Sequence, residues 1–194
     1  EVKIGENNEI LLRGKTITTG YYKKPEATAA AIDRDGWFHT GDAGYLKDSH
    51  LYLTERIKDL FKTSNGKYIS PQALETKLAI DRYIDQIAVI ADERKFVSAL
   101  IVPVYGFVKD YAKEKGIAYS NMDELLQHPK IQALFRARID TLQQQFAHYE
   151  QVKRFTLLTE PFSMERGELT NTLKLKRSVV AKNYKGLIDK MYEE

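Results

Sequence analysis

A change of texture at residues 55–60 constrains this chain more than any other feature. Before it the sequence is β-type. Glu9-Ile10-Leu11-Leu12-Arg13 is a short apolar run between Asn8 and Gly14, and reads as a strand. Residues 25–32 read as one or two helical turns behind Pro25. Trp37-Phe38-His39-Thr40 and Ala43-Gly44-Tyr45-Leu46 read as two extended pieces. Leu51-Tyr52-Leu53-Thr54 pairs back as a hairpin across Lys47-Asp48-Ser49-His50. Then comes a charged joint, Glu55-Arg56-Ile57-Lys58-Asp59.

After the joint, strands and helices mix. A short strand at 60–62 and a polar loop lead to Ser70-Pro71, a hydroxyl cap followed by proline, which starts a helix running to about Asp81. Strands are expected at 84–91, 96–104 and 152–158. Helices are expected at 106–115, at 123–127 behind Ser120, at 129–149 and at 177–192. The expected fold class is α+β: residues 58–194 form a compact unit with a sheet of about three to five strands and helices packed on it. Residues 1–57 are too short to bury a core of their own, so they are expected to be the β segment of a larger domain whose remainder lies upstream. The start at Glu1, in strand-like sequence without an initiator methionine, fits that expectation.

Composition excludes several classes. With no cysteine among 194 residues there is no disulfide, thiolate metal site or cysteine nucleophile. This fits a reducing cytosol. No apolar run approaches the ~20 residues that cross a bilayer, and Glu1-Val2-Lys3-Ile4 does not open a signal peptide. A net charge of +3 is too small to argue for nucleic acid. The basic tract 174–190 lacks the aromatic interleaving of a nucleic-acid reader. His39, His50, His128 and His148 have no metal-ligand spacing, so no metal site is expected.

Four segments could carry chemistry. In Gly36-Trp37-Phe38-His39-Thr40-Gly41-Asp42-Ala43-Gly44-Tyr45 an acid lies between glycines. An ionised Asp only accepts, which suits a pair of sugar hydroxyls. It equally suits a hairpin turn, which the local pattern favours. Arg56 and Lys58, two apart on an extended segment, would point the same way; taken alone, a solvated charged linker is the reading the local pattern favours. Ser64-Asn65-Gly66 is an exposed turn between short strands, a ligand contact or simply a hairpin. Gly167-Glu168-Leu169-Thr170-Asn171-Thr172-Leu173-Lys174-Leu175-Lys176-Arg177 puts cations at a helix N-terminus, where they are slightly unfavourable. Either they serve a ligand or they form an ordinary basic patch.

Taken in order, these segments resemble the C-terminal part of the adenylate-forming, AMP-binding acyl-CoA synthetases, long-chain fatty acid–CoA ligase type. Gly20-Tyr21-Tyr22-Lys23-Lys24-Pro25-Glu26-Ala27-Thr28 resembles the family's "GYY..PEAT". Residues 36–45 resemble "GW.HTGD.G", 55–59 "GR.KD", 62–75 "K...GKYI.P..LE" and 167–177 "GELTPTLK.KR". The resemblance covers essentially the whole chain. Leu173 and Asn65 stand where relatives often have Gly, Asn171 where they often have Pro, and Glu55 where the joint usually has Gly.

The resemblance implies roles. Asp42 would bind the ribose hydroxyls of ATP or AMP, supported by Arg56. Lys58 would be the hinge on which a mobile lid, residues 58–194, rotates. Ser64, Asn65 and Gly66 would line the pantetheine channel during thioester formation. Lys174 would be the catalytic lysine of the first half-reaction, offsetting repulsion between carboxylate and α-phosphate. ATP or AMP, Mg2+ and CoA are implied for the full-length enzyme, with none bound tightly by this piece. Its partners would be the missing N-terminal domain in cis, a fatty acid and CoA, with no nucleic acid. The phosphate loop, acyl pocket and Mg-binding acid would lie upstream, so the piece is expected to be inactive by itself. The expected location is cytoplasmic, with room for loose peripheral association with a membrane. An adenylating domain that loads a carrier protein, and a basic binding module without enzymatic activity, are the alternatives.

Overall fold

The computed structural model describes residues 1–193, with the side chains of Glu55 and Lys58 outside that description. The chain is α+β and divides into two units, Glu1–Leu60 and the remainder from Phe61. In the first, β1 (Val2–Ile4), β2 (Glu9–Leu12), β3 (Phe38–Lys47) and β4 (His50–Arg56) form an antiparallel meander in that order. A short helix, α1 (Pro25–Ala31), interrupts the path from β2 to β3. Asp48 and Ser49 both take left-handed backbone, φ 49° and 63°, as a tight hairpin twisted with its strands requires.

The two extended pieces expected at 37–40 and 43–46 are one strand with a bulge. Leu11 pairs with His39, but Glu9 pairs with Ala43, so Thr40, Gly41 and Asp42 stand against Ile10 alone. Gly41, at φ 70°, makes the bend. Past the bulge, a Cβ on Gly44 would lie 2.2 Å from the Tyr52 carbonyl, so only glycine fits between β3 and β4 there. The buried apolar residues of this unit, among the described residues, are Ile10, Leu11 and Ala43. That is a sheet face with little core of its own.

The second unit starts with a two-stranded hairpin, β5 (Phe61–Lys62) and β6 (Tyr68–Ile69), and α2 (Pro71–Leu78). Ser70 caps α2, its hydroxyl accepting the Ala73 N–H at 3.2 Å, with Pro71 in the first turn. The central sheet is β7 (Ile84–Ile90), β8 (Val97–Pro103) and β9 (Val152–Leu157), antiparallel then parallel. Every residue of β8 is buried, as for a central strand covered on both faces. Ala99 and Ile101 face a core built with α2, α3 (Tyr105–Glu114), α4 (Met122–Gln127) and α5 (Pro129–Leu142). Leu100 and Val102 face a smaller core with Phe162, Leu169 and the last two helices, α6 (Arg177–Asn183) and α7 (Lys185–Lys190). Among the described residues no helix is long and apolar enough to cross a membrane.

Three expected elements differ. The helix expected over 129–149 stops at Leu142, because buried Gln143 turns its amide to the sheet. Its Oε1 accepts the Val152 N–H at 2.8 Å and its Nε2 donates to Val152 O at 3.4 Å. The helix expected over 177–192 breaks at Tyr184, two residues before Gly186, a poor helix former. The break lets Val180 and Ile188 enter the same core. The cap of α4 is Asn121, not Ser120. Asn121 Oδ1 accepts the Glu124 N–H at 2.9 Å and Glu124 Oε2 accepts the Ser120 N–H at 2.7 Å.

Candidate functional site

The β3 bulge brings Asp42 into register with Arg56 on β4. Arg56 Nε donates to Asp42 Oδ1 at 3.0 Å, and Asp42 Oδ2 has no partner among the described residues. The Arg56 side chain is largely exposed, so the pair adds at most about 1 kcal/mol of stability. Its effect is to orient a carboxylate with one oxygen left to accept. The bulge itself is fastened by side chains. Glu9 Oε1 accepts the Gly41 N–H at 2.9 Å, and Glu9 Oε2 lies 2.8 Å from His39 Nδ1. The Thr40 hydroxyl donates to Ile10 O at 2.7 Å and accepts the Asp42 N–H at 3.1 Å. Behind His39, Asp33 Oδ2 stands 3.8 Å from Nε2. The Asp33 carboxyl is held below its ordinary range, chiefly by the Trp37 N–H.

In the second unit, Ser64, Asn65 and Gly66 form an exposed turn closed by buried Thr63. The Thr63 N–H donates to Lys67 O at 2.9 Å, the Lys67 N–H to Thr63 Oγ1 at 3.1 Å, and the Gly66 N–H to Thr63 O at 2.8 Å. The turn around Lys174 repeats this pattern. The Thr170 N–H donates to Lys174 O at 2.8 Å, the Lys174 N–H to Thr170 Oγ1 at 3.0 Å, and the Leu173 N–H to Thr170 O at 2.9 Å. A bridge between Leu169 and Leu175 and the Lys176 N–H to Glu168 O bond, 2.7 Å, close its base. The Lys174 side chain is exposed and has no partner among the described residues.

Glu168 anchors that base. Its carboxylate, 1% exposed, accepts from Arg166, the Ser163 N–H and Asn183. Burial pushes the Glu168 carboxyl up, but these donors outweigh it and hold it below the usual carboxylate range. Arg177, at the start of α6, makes a two-pronged pair with Glu75 of α2, 2.5 and 2.6 Å. The reading that the cations at this helix start serve a ligand is therefore corrected for Arg177, which is an internal anchor. A cleft of 310 Å³ is lined by Phe61, Ile90, Asp92, Arg94, Leu175 and Arg177, residues next to the two turns but not of them. Leu175 follows Lys174, and the Arg94 carbonyl accepts the Ser64 N–H at 3.0 Å.

Asp42 and Arg56 thus meet in the first unit, while Ser64, Asn65, Gly66 and Lys174 occupy two matching turns in the second. The extended path expected through Arg56 and Lys58 is corrected: β4 ends at Arg56, and Ile57–Asp59 is a turn of 3-10 helix. The side chain of Lys58, the expected hinge, lies outside the described residues. Glu9 carried no signal of a role in the sequence, and Glu75, though it closes the 62–75 segment, gave no sign of its partner, because each acts on residues distant along the chain.

Residues 58–194 match the family model of the AMP-binding enzyme C-terminal domain. A peroxisomal long chain acyl-CoA synthetase 7 of Arabidopsis thaliana is 37% identical over 190 residues, covering 96% of this chain and 27% of that protein. A long-chain-fatty-acid–CoA ligase 5 of Rattus norvegicus is 35% identical, covering 98% of this chain and 28% of its own length. The chain therefore spans little more than a quarter of these relatives. Among solved structures, the adenylation domain of a carboxylate reductase from Mycobacterium chelonae superposes with a TM-score of 0.72 at 26% identity, covering 96% of this chain and 28% of that one. The corresponding domain from Segniliparus rugosus, in complex with AMP and a co-purified carboxylic acid, gives 0.71 at 25% identity, covering 95% and 28%.

Proposed function

The chain belongs to the AMP-binding enzyme C-terminal domain family, and we propose that it is the lid, with the adjoining β segment, of a long-chain fatty acid–CoA ligase. In this reading residues 1–57 complete a large domain supplied in cis, and residues 58–194 rotate about Lys58. The reaction joins a fatty acid carboxylate to the α-phosphate of ATP with release of diphosphate. The CoA thiol then attacks the acyl carbon, giving acyl-CoA and AMP. Asp42, steadied by Arg56, accepts the ribose hydroxyls. Lys174 supplies a cation where two anions must approach, a contribution of ~2.7–4 kcal/mol for a contact of this type. Once the adenylate exists that cation is no longer needed, and the lid presents the turn of Ser64, Asn65 and Gly66 to the pantetheine arm.

The observation that carries this reading is Lys174 itself: an exposed lysine, without a partner among the described residues, on a turn whose backbone is locked at Thr170 and Glu168. Mg2+ would accompany ATP. Among the described residues no group of three or more His, Asp or Glu could hold a metal ion.

The test restores the upstream residues and measures carboxylate-dependent diphosphate release over short to long fatty acids. Release with long chains, lost by about 10²-fold or more in Lys174→Ala, is the expected result. Release unaffected by Lys174→Ala overturns the lysine assignment and turns attention to Lys176. No release with any carboxylate overturns the ligase reading. A second reading, an adenylating domain that hands its acyl group to a carrier protein, is favoured by the backbone likeness to carboxylate reductase adenylation domains. Acyl transfer to a carrier protein but not to CoA would select it.

A further inference from the structure

We infer that Glu9 is the positioning residue for Asp42: its carboxylate fastens the bulge from which Asp42 projects. The inference rests on the reading of Asp42 as the acceptor of the nucleotide's ribose hydroxyls. A bulge that sets three residues against one takes backbone amides out of the strand ladder. At this bulge the freed amides find side chains instead: the Gly41 N–H donates to Glu9 Oε1 and the Asp42 N–H to Thr40 Oγ1. Unfastened, a φ-positive glycine with open space around it would let the neighbouring carboxylate wander.

Glu9 is built for this fastening. Its side chain is mostly buried, and both carboxylate oxygens are committed, one to the Gly41 amide and one to His39. His39 is in turn faced by Asp33 and pairs with Leu11 one position beyond the bulge. Glu9 and His39 thus hold opposite ends of the looped-out segment, while Arg56 holds the Asp42 carboxylate from β4. A small misplacement of a binding group is enough to lose a large part of its effect. Glu9 does not touch the nucleotide in this arrangement, and it acts only through Asp42.

The test uses the protein with its upstream residues, AMP as the calorimetric probe, and the variants Glu9→Ala, Glu9→Gln, Asp42→Ala and Glu9→Ala/Asp42→Ala. Glu9→Ala is expected to weaken AMP binding and raise the KM for ATP about tenfold, as for a lost charge-assisted hydrogen bond. The KM values for fatty acid and CoA stay unchanged. Glu9→Gln keeps an oxygen for the Gly41 amide and loses no more than about threefold. In the Asp42→Ala background the Glu9 change adds nothing, because its effect passes through that carboxylate. Wild-type AMP affinity in Glu9→Ala overturns the inference. So does an effect that simply adds to that of Asp42→Ala, or a parallel rise in all three KM values with a lowered melting temperature. If Glu9→Ala does not fold, the same cycle run with Glu9→Leu, which keeps side-chain volume but offers the Gly41 amide no acceptor, decides. A wild-type protein that does not bind AMP at all overturns the reading of Asp42, and the inference falls with it. AMP binding in the wild type that is undiminished in Glu9→Ala overturns the inference alone.

Discussion

Gly66 and Leu173 occupy the same place in two copies of one turn. Each is the third residue after a threonine, each donates its N–H to that threonine's carbonyl, and each has left-handed backbone, φ 73° and 59°. Glycine takes that conformation freely, whereas leucine is strained there by roughly 1–2 kcal/mol. Leu173 is also 67% exposed, so burial offsets little of the strain. The Lys174 turn is therefore held by its threonine and its base, against the preference of its own residue.

Replacing Leu173 tests that balance. Leu173→Gly relieves the strain but adds chain entropy of about 0.5–1 kcal/mol, so stability should rise by no more than about 1 kcal/mol. Leu173→Val, β-branched at positive φ, should lose about 1 kcal/mol and slow diphosphate release. Thermal melts and release rates on the same preparations check both directions.

In the protein with its upstream residues, Lys174→Ala should split the two half-reactions of the proposed ligase. Formation of the adenylate should fall by about 10²–10³-fold, while transfer from a supplied acyl-adenylate to CoA stays within about twofold of wild type. The melting temperature should not move, because the side chain is exposed and unpaired among the described residues. Equal losses in both half-reactions would contradict the proposed division of labour between Lys174 and the turn of Ser64, Asn65 and Gly66.

Glu75 and Arg177 should couple in stability. Removing Arg177 leaves Glu75 mostly buried without its cation, and removing Glu75 also strips the Val89 N–H of its acceptor at 2.8 Å. Either single alanine variant should lose about 2–3 kcal/mol in urea unfolding, discounted from a fully buried pair because Arg177 is partly exposed. The double variant should lose distinctly less than the sum. Additive losses would show that the pair does not act as one anchor.

Acid should loosen the base of the Lys174 turn through Glu168. Its folded-state carboxyl lies below the ordinary value, so at low pH the unfolded chain binds the proton first. Stability from this group is thus fully present above the unfolded pKa of ~4.3 and is lost as pH falls through the lower folded value. Unfolding midpoints measured from pH 7 to pH 3 should drop more steeply in the wild type than in Glu168→Gln. A parallel drop in both would assign the acid sensitivity elsewhere.

The strands were largely readable because their apolar runs are local. The expected spans 84–91 and 96–104 became Ile84–Ile90 and Val97–Pro103. Helix ends were less readable because their partners are not local. Gln143 ends α5 by pairing with Val152, and Tyr184 breaks the last helix so that both halves reach one core. The site shows the same division. Asp42, Arg56 and Lys174 stand out in recognisable segments. Glu9 does not, and the pairing of Glu75 with Arg177 was not legible either, because Gly41 and Arg177 lie 32 and 102 residues away from their partners.

By itself, then, the sequence determined which residues are able to do chemistry and which segments prefer strand or helix, since side-chain identity and apolar periodicity act over a few neighbours. Tertiary structure decided how those residues are held. The bulge that sets Thr40, Gly41 and Asp42 against Ile10 exists only when β2 and β3 pair. The Lys174 turn rests on a buried carboxylate and on an arginine tied to a distant helix. Hydrogen bonds and ion pairs of this kind depend on distances of a few ångströms between groups remote along the chain, and only the folded protein brings those groups together.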